Sequence, residues 1–400
     1  MKFNKWTMGL AAVGVVSLAS AASAQEKMSQ VQTALSNTTL SGYVDTSAMW
    51  QLGSQNGGNI PQYTPGGVAS DGFNLNAVDI ALDKPMDESP WAAGYHVELM
   101  TGPDAVPALN SGFGIRQAYI ALGTPVGNSR IDWKVGVWDS IIGYESSSDP
   151  LNPNYTRSLG YMIEPTTMTG ILATYKVNDM ITVQAGVADG SQVGSYEGYG
   201  SFGPNPVNGR NVQESKKAYM GAIALTAPES WGWAKGATLN AGIINNNDGA
   251  TDRNSGNWGS TSIYAGATIP TPLTALKFGA AFDYRDMHNA HWIGNSDSSL
   301  WVAGLYANYQ QPNSKFSLNV RGEHLESNVD RYSPSVDEFT ATVQYAIWAN
   351  VLSRVELRWD HVEHSTAFDN ASNANNRNND SGYGIHDNAF LLALNLIYQF

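Results

Sequence analysis

The chain has 400 residues, 42% of them hydrophobic and 14% charged, with a formal net charge of −13 and a mean hydropathy of −0.26. The acidic balance argues against nucleic acid as a partner, because proteins bind the phosphate backbone through lysine and arginine. After residue 24 no stretch offers about 18 consecutive apolar residues, which argues against helical membrane spans.

The first segment of the chain has the parts of a secretory signal peptide. Two lysines precede a short apolar run, and Ala22-Ser23-Ala24 is a small-x-small cleavage pattern. The apolar run is too short to span a bilayer. We therefore expect residues 1–24 to be removed near Ala24 after export through the inner membrane, leaving a short tail at 25–38. The absence of cysteine predicts an exported fold without disulfides.

From residue 39 onward, apolar and polar residues alternate along much of the chain. In the segment 130–138, Trp133 and Val135 share one face, and Asp132 and Lys134 share the other. Such alternation indicates a β-strand with one apolar and one polar face. The predicted strands cover about residues 40–51, 73–83, 91–101, 114–123, 130–138, 170–178, 180–188, 217–226, 236–246, 260–268, 276–286, 300–310, 315–325, 337–347, 353–363 and 389–400.

The connections between these strands alternate between short turns and long polar segments. About sixteen strands of about ten residues, joined in this way, are typical of outer-membrane barrels. An open sheet in hydrocarbon would leave edge N–H and C=O groups unpaired, whereas closure pairs the first and last strands. We therefore predict an all-β fold, a closed antiparallel transmembrane β-barrel over residues 39–400. Fourteen or eighteen strands, and a soluble β-sandwich, are the alternatives.

The last predicted strand keeps its alternation to the final residue. In the segment AFLLALNLIYQF, residues 389–400, apolar side chains occupy every second position and end with Tyr398 and Phe400. The apolar face suits lipid, and the strand itself would form the seam of a closed barrel. A terminal phenylalanine after alternating apolar residues is similar to the signal that the barrel-assembly machinery of Gram-negative bacteria recognises. We therefore expect Tyr398 and Phe400 to act as an assembly signal.

The connection at residues 139–169 is the longest and the third on the external side. It combines turn-forming residues with apolar ones such as Ile141 and Tyr161. A loop of more than about 15 residues is usually functional or disordered, and its apolar content disfavours disorder. Because a sixteen-stranded barrel is wide enough to enclose water, we predict that this loop folds into the lumen and narrows it. An ordered external lid is the alternative.

Charged residues on the polar strand faces and in this loop define a candidate pore. Acids on the loop that face bases on the wall would create a transverse field across the opening. A polar lumen with self-satisfied ion pairs is the alternative. The predicted pore-lining residues are Lys134, Asp283, Arg285, Arg321, Glu323, Arg354, Glu356, Arg358 and Asp360, and the predicted constriction residues are Asp139, Glu145, Asp149, Arg157 and Glu164.

The sequence offers little support for catalysis or metal binding. His361 and His364 would point to opposite faces of a strand, so they would not share a metal ion. The Gly-x-Ser-x-Gly motif of serine hydrolases does not occur. We therefore expect no catalytic residues, no cofactor and no metal, and we do not expect an enzyme.

Two nearby segments resemble a known family. VGVWDSIIGYES at 135–146 and NYTRSLGYMIEPTTMTGILATYKVND at 154–179 are similar to the OmpL-like family of β-barrel porins. The shared features are an aromatic–Asp strand end, Ile-Gly-Tyr-Glu, Asn-Tyr-Thr/Ser-Arg-Ser and a Pro-x-x-x-Thr-Gly strand entry. The chain has Ser140 and Ile141 where a small residue and proline are expected. The resemblance implies an outer-membrane location and a channel role, and it implies no catalytic residues.

The expected function is passive diffusion of small hydrophilic solutes and ions through a water-filled outer-membrane channel, a porin. Expected partners are outer-membrane lipids and lipopolysaccharide, the assembly machinery and the solutes. By analogy with barrels of this size, we also expect a homotrimer. A plugged barrel with a structural or adhesive role is one alternative. It would be identified if the purified protein showed no conductance. An outer-membrane hydrolase is the other, which turnover of dispersed lipid would identify.

Overall fold

The computed structural model describes residues 37–52, 72–104, 113–189, 217–246, 259–290, 296–329, 335–363 and 388–400. The predicted signal peptide at 1–24 lies outside the described residues, as does most of the tail at 25–38. None of the helices in the described segments is both long and apolar enough to cross a membrane.

Within the described segments, sixteen antiparallel strands close into one barrel in which each strand pairs with its neighbours in the chain. The first strand pairs with the last, so the sheet has no free edge. The predicted fold, an all-β closed antiparallel barrel of sixteen strands, is confirmed. The strands are β1 (Thr39–Gln51), β2 (Gly72–Lys84), β3 (Ala92–Thr101), β4 (Phe113–Val126), β5 (Ser129–Asp139), β6 (Thr167–Lys176), β7 (Ile181–Ala188), β8 (Ala218–Thr226), β9 (Thr238–Asn246), β10 (Gly259–Pro270), β11 (Leu276–Ala290), β12 (Ser296–Tyr309), β13 (Phe316–Val329), β14 (Ser335–Trp348), β15 (Val351–Glu363) and β16 (Asn388–Gln399).

Alternating side chains give the barrel an apolar outer face and, over much of its circumference, a polar inner face. On β14, Phe339 points outward and is 48% exposed, whereas Thr340 is fully buried. On β15, Leu357 is 55% exposed, whereas Glu356 is fully buried. Exposed apolar side chains on the outside suit hydrocarbon, and polar side chains on the inside can hold water or bind one another.

Strands β11 to β14 extend further than the apolar pattern predicts. The sequence predicts long connections at 287–299 and 326–336, whereas backbone pairing continues to residue 290 on β11 and to residue 335 on β14. The predicted strand lengths are wrong because the hydrogen-bonded ladder continues beyond the band of lipid-facing apolar residues. Beyond that band, polar side chains can occupy both strand faces while the backbone groups stay paired.

The seam between β1 and β16 runs to the last residue of the chain. Gly42 and Phe400 exchange two backbone hydrogen bonds, from Gly42 N–H to Phe400 O at 3.1 Å and from Phe400 N–H to Gly42 O at 3.0 Å. Tyr398 is 48% exposed on the outer face of the barrel. The terminal residue is therefore part of the ladder that closes the barrel.

Replacing Gly42 with valine should weaken this seam. A Cβ atom at residue 42 would lie 2.2 Å from the carbonyl oxygen of Asp79 and 2.7 Å from the ring of Phe400. Overpacking of this kind costs about 1–3 kcal/mol. We expect a lower free energy of unfolding in detergent micelles, measured by the loss of β-sheet circular dichroism in urea. Val44→Ala, on the same strand, is the control, and equal stability of Gly42→Val and wild type would contradict the prediction.

Candidate functional site

Residues 140–166, which connect β5 to β6, lie against the inner wall, and we refer to them as the lumen loop. They include a short 3-10 helix (Asp149–Leu151) and one α-helical turn, α1 (Leu159–Ile163). The two ends of the loop meet through a hydrogen bond from Ser140 N–H to Thr166 O at 2.9 Å. The loop therefore leaves and returns at one place on the wall.

The first part of the lumen loop is attached to the wall by apolar packing. Ile141, Ile142 and Tyr144 join a buried cluster with inward side chains of β5–β10 and β12. The Tyr144 ring stacks on Tyr306 with 4.2 Å between centroids, and its hydroxyl lies 3.1 Å from Thr268 Oγ1. Strands β6 to β9 thus carry apolar residues on both faces, which the expectation of a polar lumen did not include. The wall members of the cluster are Trp138, Met168, Leu172, Ala188, Ala218, Met220, Ile244, Tyr264 and Tyr306.

The middle of the lumen loop is held through its backbone by a carboxylate of β15. Glu356 accepts hydrogen bonds from Tyr155 N–H at 2.6 Å and from Thr156 N–H at 2.9 Å. Thr342 Oγ1 donates to the same carboxylate at 2.6 Å. The side chain of Tyr155 contacts a different strand, and its hydroxyl lies 2.9 Å from the hydroxyl of Ser47 on β1. These wall groups satisfy loop N–H groups that would otherwise be buried without a partner.

Three inward-facing arginines of β13 and β15 bind carbonyl oxygens of the same part of the loop. Arg321 donates to the carbonyl of Thr156 at 2.8 Å, and Arg358 donates to that of Arg157 at 2.6 Å. Arg354 donates to two carbonyl oxygens at the 3-10 helix. Each arginine is at most 3% exposed. A guanidinium has five N–H donors, so it can bind a carbonyl and a carboxylate at the same time.

Carboxylates of the loop and the wall form ion pairs with two of these three arginines. Arg321 Nη1 lies 2.8 Å from Glu145 of the loop, and its Nη2 lies 3.0 Å from Glu338 of β14. Arg358 pairs with Asp360 at 2.8 Å. Loop acid and wall base are therefore in direct contact. This geometry is that of locally satisfied ion pairs rather than of charges facing each other across a gap.

Helix α1 brings two carboxyl groups together beside β11. Leu159 N–H donates to Glu323 at 2.6 Å, which fixes the start of α1 against β13. Just after α1, Glu164 is hydrogen-bonded to Asp283, and both are buried. Gly160 leaves room for Asp283, since a Cβ there would lie 2.6 Å from Asp283 Oδ2. Burial, and then the charge of Asp283, raise the pKa of Glu164 well above its ordinary value of 4.5, so the pair holds a proton.

The remaining predicted site residues lie elsewhere. Asp139 accepts a hydrogen bond from Arg116 at 2.7 Å, at the point where the loop begins. The Lys134 ammonium lies 4.6 Å from the centre of the Tyr119 ring on β4. Arg285 lies on β11, two residues after Asp283.

The predicted residues that meet around the loop are Asp283, Arg321, Glu323, Arg354, Glu356, Arg358 and Asp360 of the wall, with Glu145, Glu164 and the ion pair of Asp149 with Arg157 from the loop.

Sequence reasoning missed a charged cluster on β3 and β4. Arg116 Nε donates to Glu98 at 2.6 Å, and Gln117 donates to the same carboxylate at 2.8 Å. A β-bulge between Glu98 and Leu99 gives β4 an extra residue, so two adjacent side chains of β4 become buried inside the barrel. Two neighbouring polar residues that interrupt the alternation, Arg116 and Gln117, are the signal that could have revealed this cluster.

The geometry first defines a class. A closed sixteen-stranded barrel with an apolar outer face, and a long loop after β5 attached to its inner wall, is an outer-membrane β-barrel of the porin type. The chain belongs to the family described as "Putative beta-barrel porin-2, OmpL-like", whose model matches residues 37–400. The resemblance found in the sequence is therefore confirmed, and the protein is a channel-type protein of the bacterial outer membrane.

Solved structures of bacterial outer-membrane proteins share the fold at low sequence identity. The outer membrane channel DcaP of Acinetobacter baumannii is 13% identical with a TM-score of 0.58, over 93% of this chain and 100% of that one. The anion-selective porin from Comamonas acidovorans is 11% identical with a TM-score of 0.56, over 91% and 99%. The trimer form of OmpT from Vibrio cholerae is 11% identical with a TM-score of 0.56, over 91% of this chain and 99% of that one. No curated protein sequence matches the chain.

Replacing Glu356 with alanine should release the middle of the lumen loop. Two buried N–H groups would lose their acceptor, at about 1–3 kcal/mol each. The backbone after Arg157, whose side chain is 1% exposed in the wild type, should then become accessible to trypsin. We expect cleavage after Arg157 in the micellar variant, detected by mass spectrometry, and resistance in the wild type.

Two matched variants test whether the acceptor itself matters. Glu356→Gln keeps one acceptor oxygen and should be cleaved more slowly than the alanine variant. Glu363→Ala removes an exposed carboxylate from the same strand and should resist trypsin as the wild type does. Resistance of Glu356→Ala equal to that of wild type would show that the carboxylate does not hold the loop.

Glu164 should make the barrel less stable as pH rises. Because its pKa is raised above 4.5 on folding, the folded state binds the proton more tightly than the unfolded state. The free energy of unfolding should therefore fall as pH increases from about 4.5 through the folded-state pKa. Glu164→Gln removes this titration and should flatten the profile, measured by urea unfolding in micelles from pH 4 to 9. A variant with the wild-type pH dependence would count against the shared proton.

Proposed function

We propose that the protein forms a water-filled channel through which small hydrophilic solutes and ions diffuse passively. The observation that carries this proposal is the opposite polarity of the two faces of a closed barrel. On β13, Asn319 and Arg321 are buried inside, whereas Leu318 is 38% exposed on the outside. A lipid-facing exterior and a polar interior are what a membrane channel needs.

We propose that the lumen loop sets the size limit of this channel. Tyr144 binds the wall at β10 and β12, and Tyr155 binds it at β1. In a closed ring of sixteen strands, β1 and β10 lie nearly opposite each other. The contacts therefore support a loop that crosses the interior, so that solutes would pass beside it through a reduced opening.

Deleting residues 145–160 should raise the single-channel conductance in planar bilayers. The deletion removes the backbone segment that Glu356 and the three wall arginines hold, and it leaves both ends of the loop in place. We expect an increase of about two-fold or more, since conductance grows with the open cross-section of a pore. A deletion of residues 369–380, in a different long connection, is the control. Unchanged conductance would contradict the proposed constriction.

One observation also favours the alternative of a plugged barrel. The lumen loop is attached on opposite sides of the wall, which is the arrangement that a plug would require. A purified wild-type barrel that inserts into bilayers and conducts no ions would identify the plug. The hydrolase alternative gains no such support, because the family and the similar structures named above are described as porins or outer-membrane proteins.

We propose three further partners. Outer-membrane lipids and lipopolysaccharide would surround the apolar outer face. The assembly machinery would recognise the last strand with Tyr398 and Phe400, after export and cleavage near Ala24. A homotrimer is supported by the trimer form of Vibrio cholerae OmpT, which has a similar fold.

A further inference from the structure

Arg285 differs from the other inward-facing arginines of the candidate pore. It lies on the inner face of β11 and is 8% exposed. Its Nε has no hydrogen-bond partner, and its side chain makes no ion pair or hydrogen bond within the described part of the chain. Arg321 and Arg358, by contrast, each bind at least one carboxylate. Within the described residues Arg354 makes no ion pair either, but it donates to two carbonyl oxygens of the loop. Among these arginines, Arg285 is the one whose side chain has no partner in the described structure, and such a buried guanidinium is suited to binding an anion.

Neighbouring strands surround Arg285 with serine hydroxyls. Ser262 of β10 is paired with Arg285 across the ladder. Ser260 of β10 and Ser298 of β12 are both paired with Met287, which is two residues after Arg285 and closer to the external end of β11. These three side chains are buried on the inner face, and Ser298 Oγ has no hydrogen-bond partner. The inner face near Arg285 therefore carries three hydroxyl groups, while Leu300 is its partner on β12.

Nearby acids already have partners of their own. Asp283, two residues before Arg285 on the same face, is hydrogen-bonded to Glu164 after α1. Asp286 and Asp297, at the edge of this region, both lie close to His288. None of these carboxylates makes an ion pair with Arg285 in the described structure. Arg285 therefore has no counter-ion among the described residues.

The position of Arg285 along β11 indicates from which end of the barrel it can be reached. Two residues of a strand rise by about 7 Å, so Arg285 lies about that far beyond Asp283 toward the external end of β11. Asp283 is at the level of Glu164 and α1. Arg285 is therefore nearer the external end of β11 than the contact with Glu164 and α1, on the side from which a solute would enter the barrel.

We infer that Arg285 and the serines around it bind an oxyanion, the phosphate or carboxylate group of a small solute. The guanidinium fork matches the geometry of two oxygen atoms, and serine hydroxyls can donate to the remaining ones. The inference rests on the proposed channel for access from outside, and it names anionic solutes as a class that the channel captures before the constriction.

The test uses the full mature barrel in detergent micelles, titrated with inorganic phosphate in a calorimeter. We expect saturable binding of one phosphate by the wild type. Arg285→Gln should weaken the affinity by about ten-fold or more, since a charge-assisted hydrogen bond contributes at least that factor. Ser298→Ala should weaken it by about three-fold. Lys176→Gln removes one positive charge at a short turn, where Lys176 pairs with Asp179, and should leave the affinity unchanged.

Each outcome of this test is decisive. Absence of phosphate binding by the wild type, or equal affinity in Arg285→Gln, would overturn the site. If Arg285→Gln does not fold, unchanged affinity in Ser298→Ala would overturn it instead. Conductance in potassium chloride is measured separately. A barrel that binds phosphate without conducting would refute the channel and not the site, whereas one that conducts without binding would refute only the site.

Discussion

The pairing of β1 with β16 is the constraint on which the rest of the structure depends. Every backbone N–H and C=O group at the depth of the hydrocarbon needs a partner within the protein. The two hydrogen bonds between Gly42 and Phe400 complete that ladder at the end of the chain. Closure also fixes which strands face each other across the interior. For this reason β1 and β10 can hold the same loop from opposite sides.

The lumen loop has no sheet of its own, so side chains of the wall take over the role of the ladder. Glu356 accepts two of its N–H groups, and Arg321 and Arg358 donate to its carbonyl groups. A buried peptide group without a partner would cost about 1–3 kcal/mol. The buried charges of β13 to β15 therefore do more than make the inner wall polar, because they also bind the main chain of the loop and fix its path.

The strands could be predicted well from the sequence because each one has a lipid-facing and an inward-facing side, and this difference appears as alternation within that strand alone. The sequence predicted the ends of β11 to β14 poorly because pairing continues in water, where no apolar pattern is required. The contacts of the loop depend on residues far apart in the chain, such as Glu145 and Arg321, which are 176 positions apart. Periodicity within a strand contains no information about such pairs. The bulge at Glu98 likewise becomes visible only when β3 and β4 are placed side by side.

The attachment of the loop through its main chain has a consequence for which of its side chains can vary. The wall recognises peptide groups at residues 152 and 155–157, and peptide groups are the same whatever side chain they carry. A substitution at one of these positions therefore leaves unchanged the groups that the wall binds, although each of the four side chains is itself buried. Exposed side chains elsewhere in the loop, such as Leu151, can vary without altering any of these main-chain contacts.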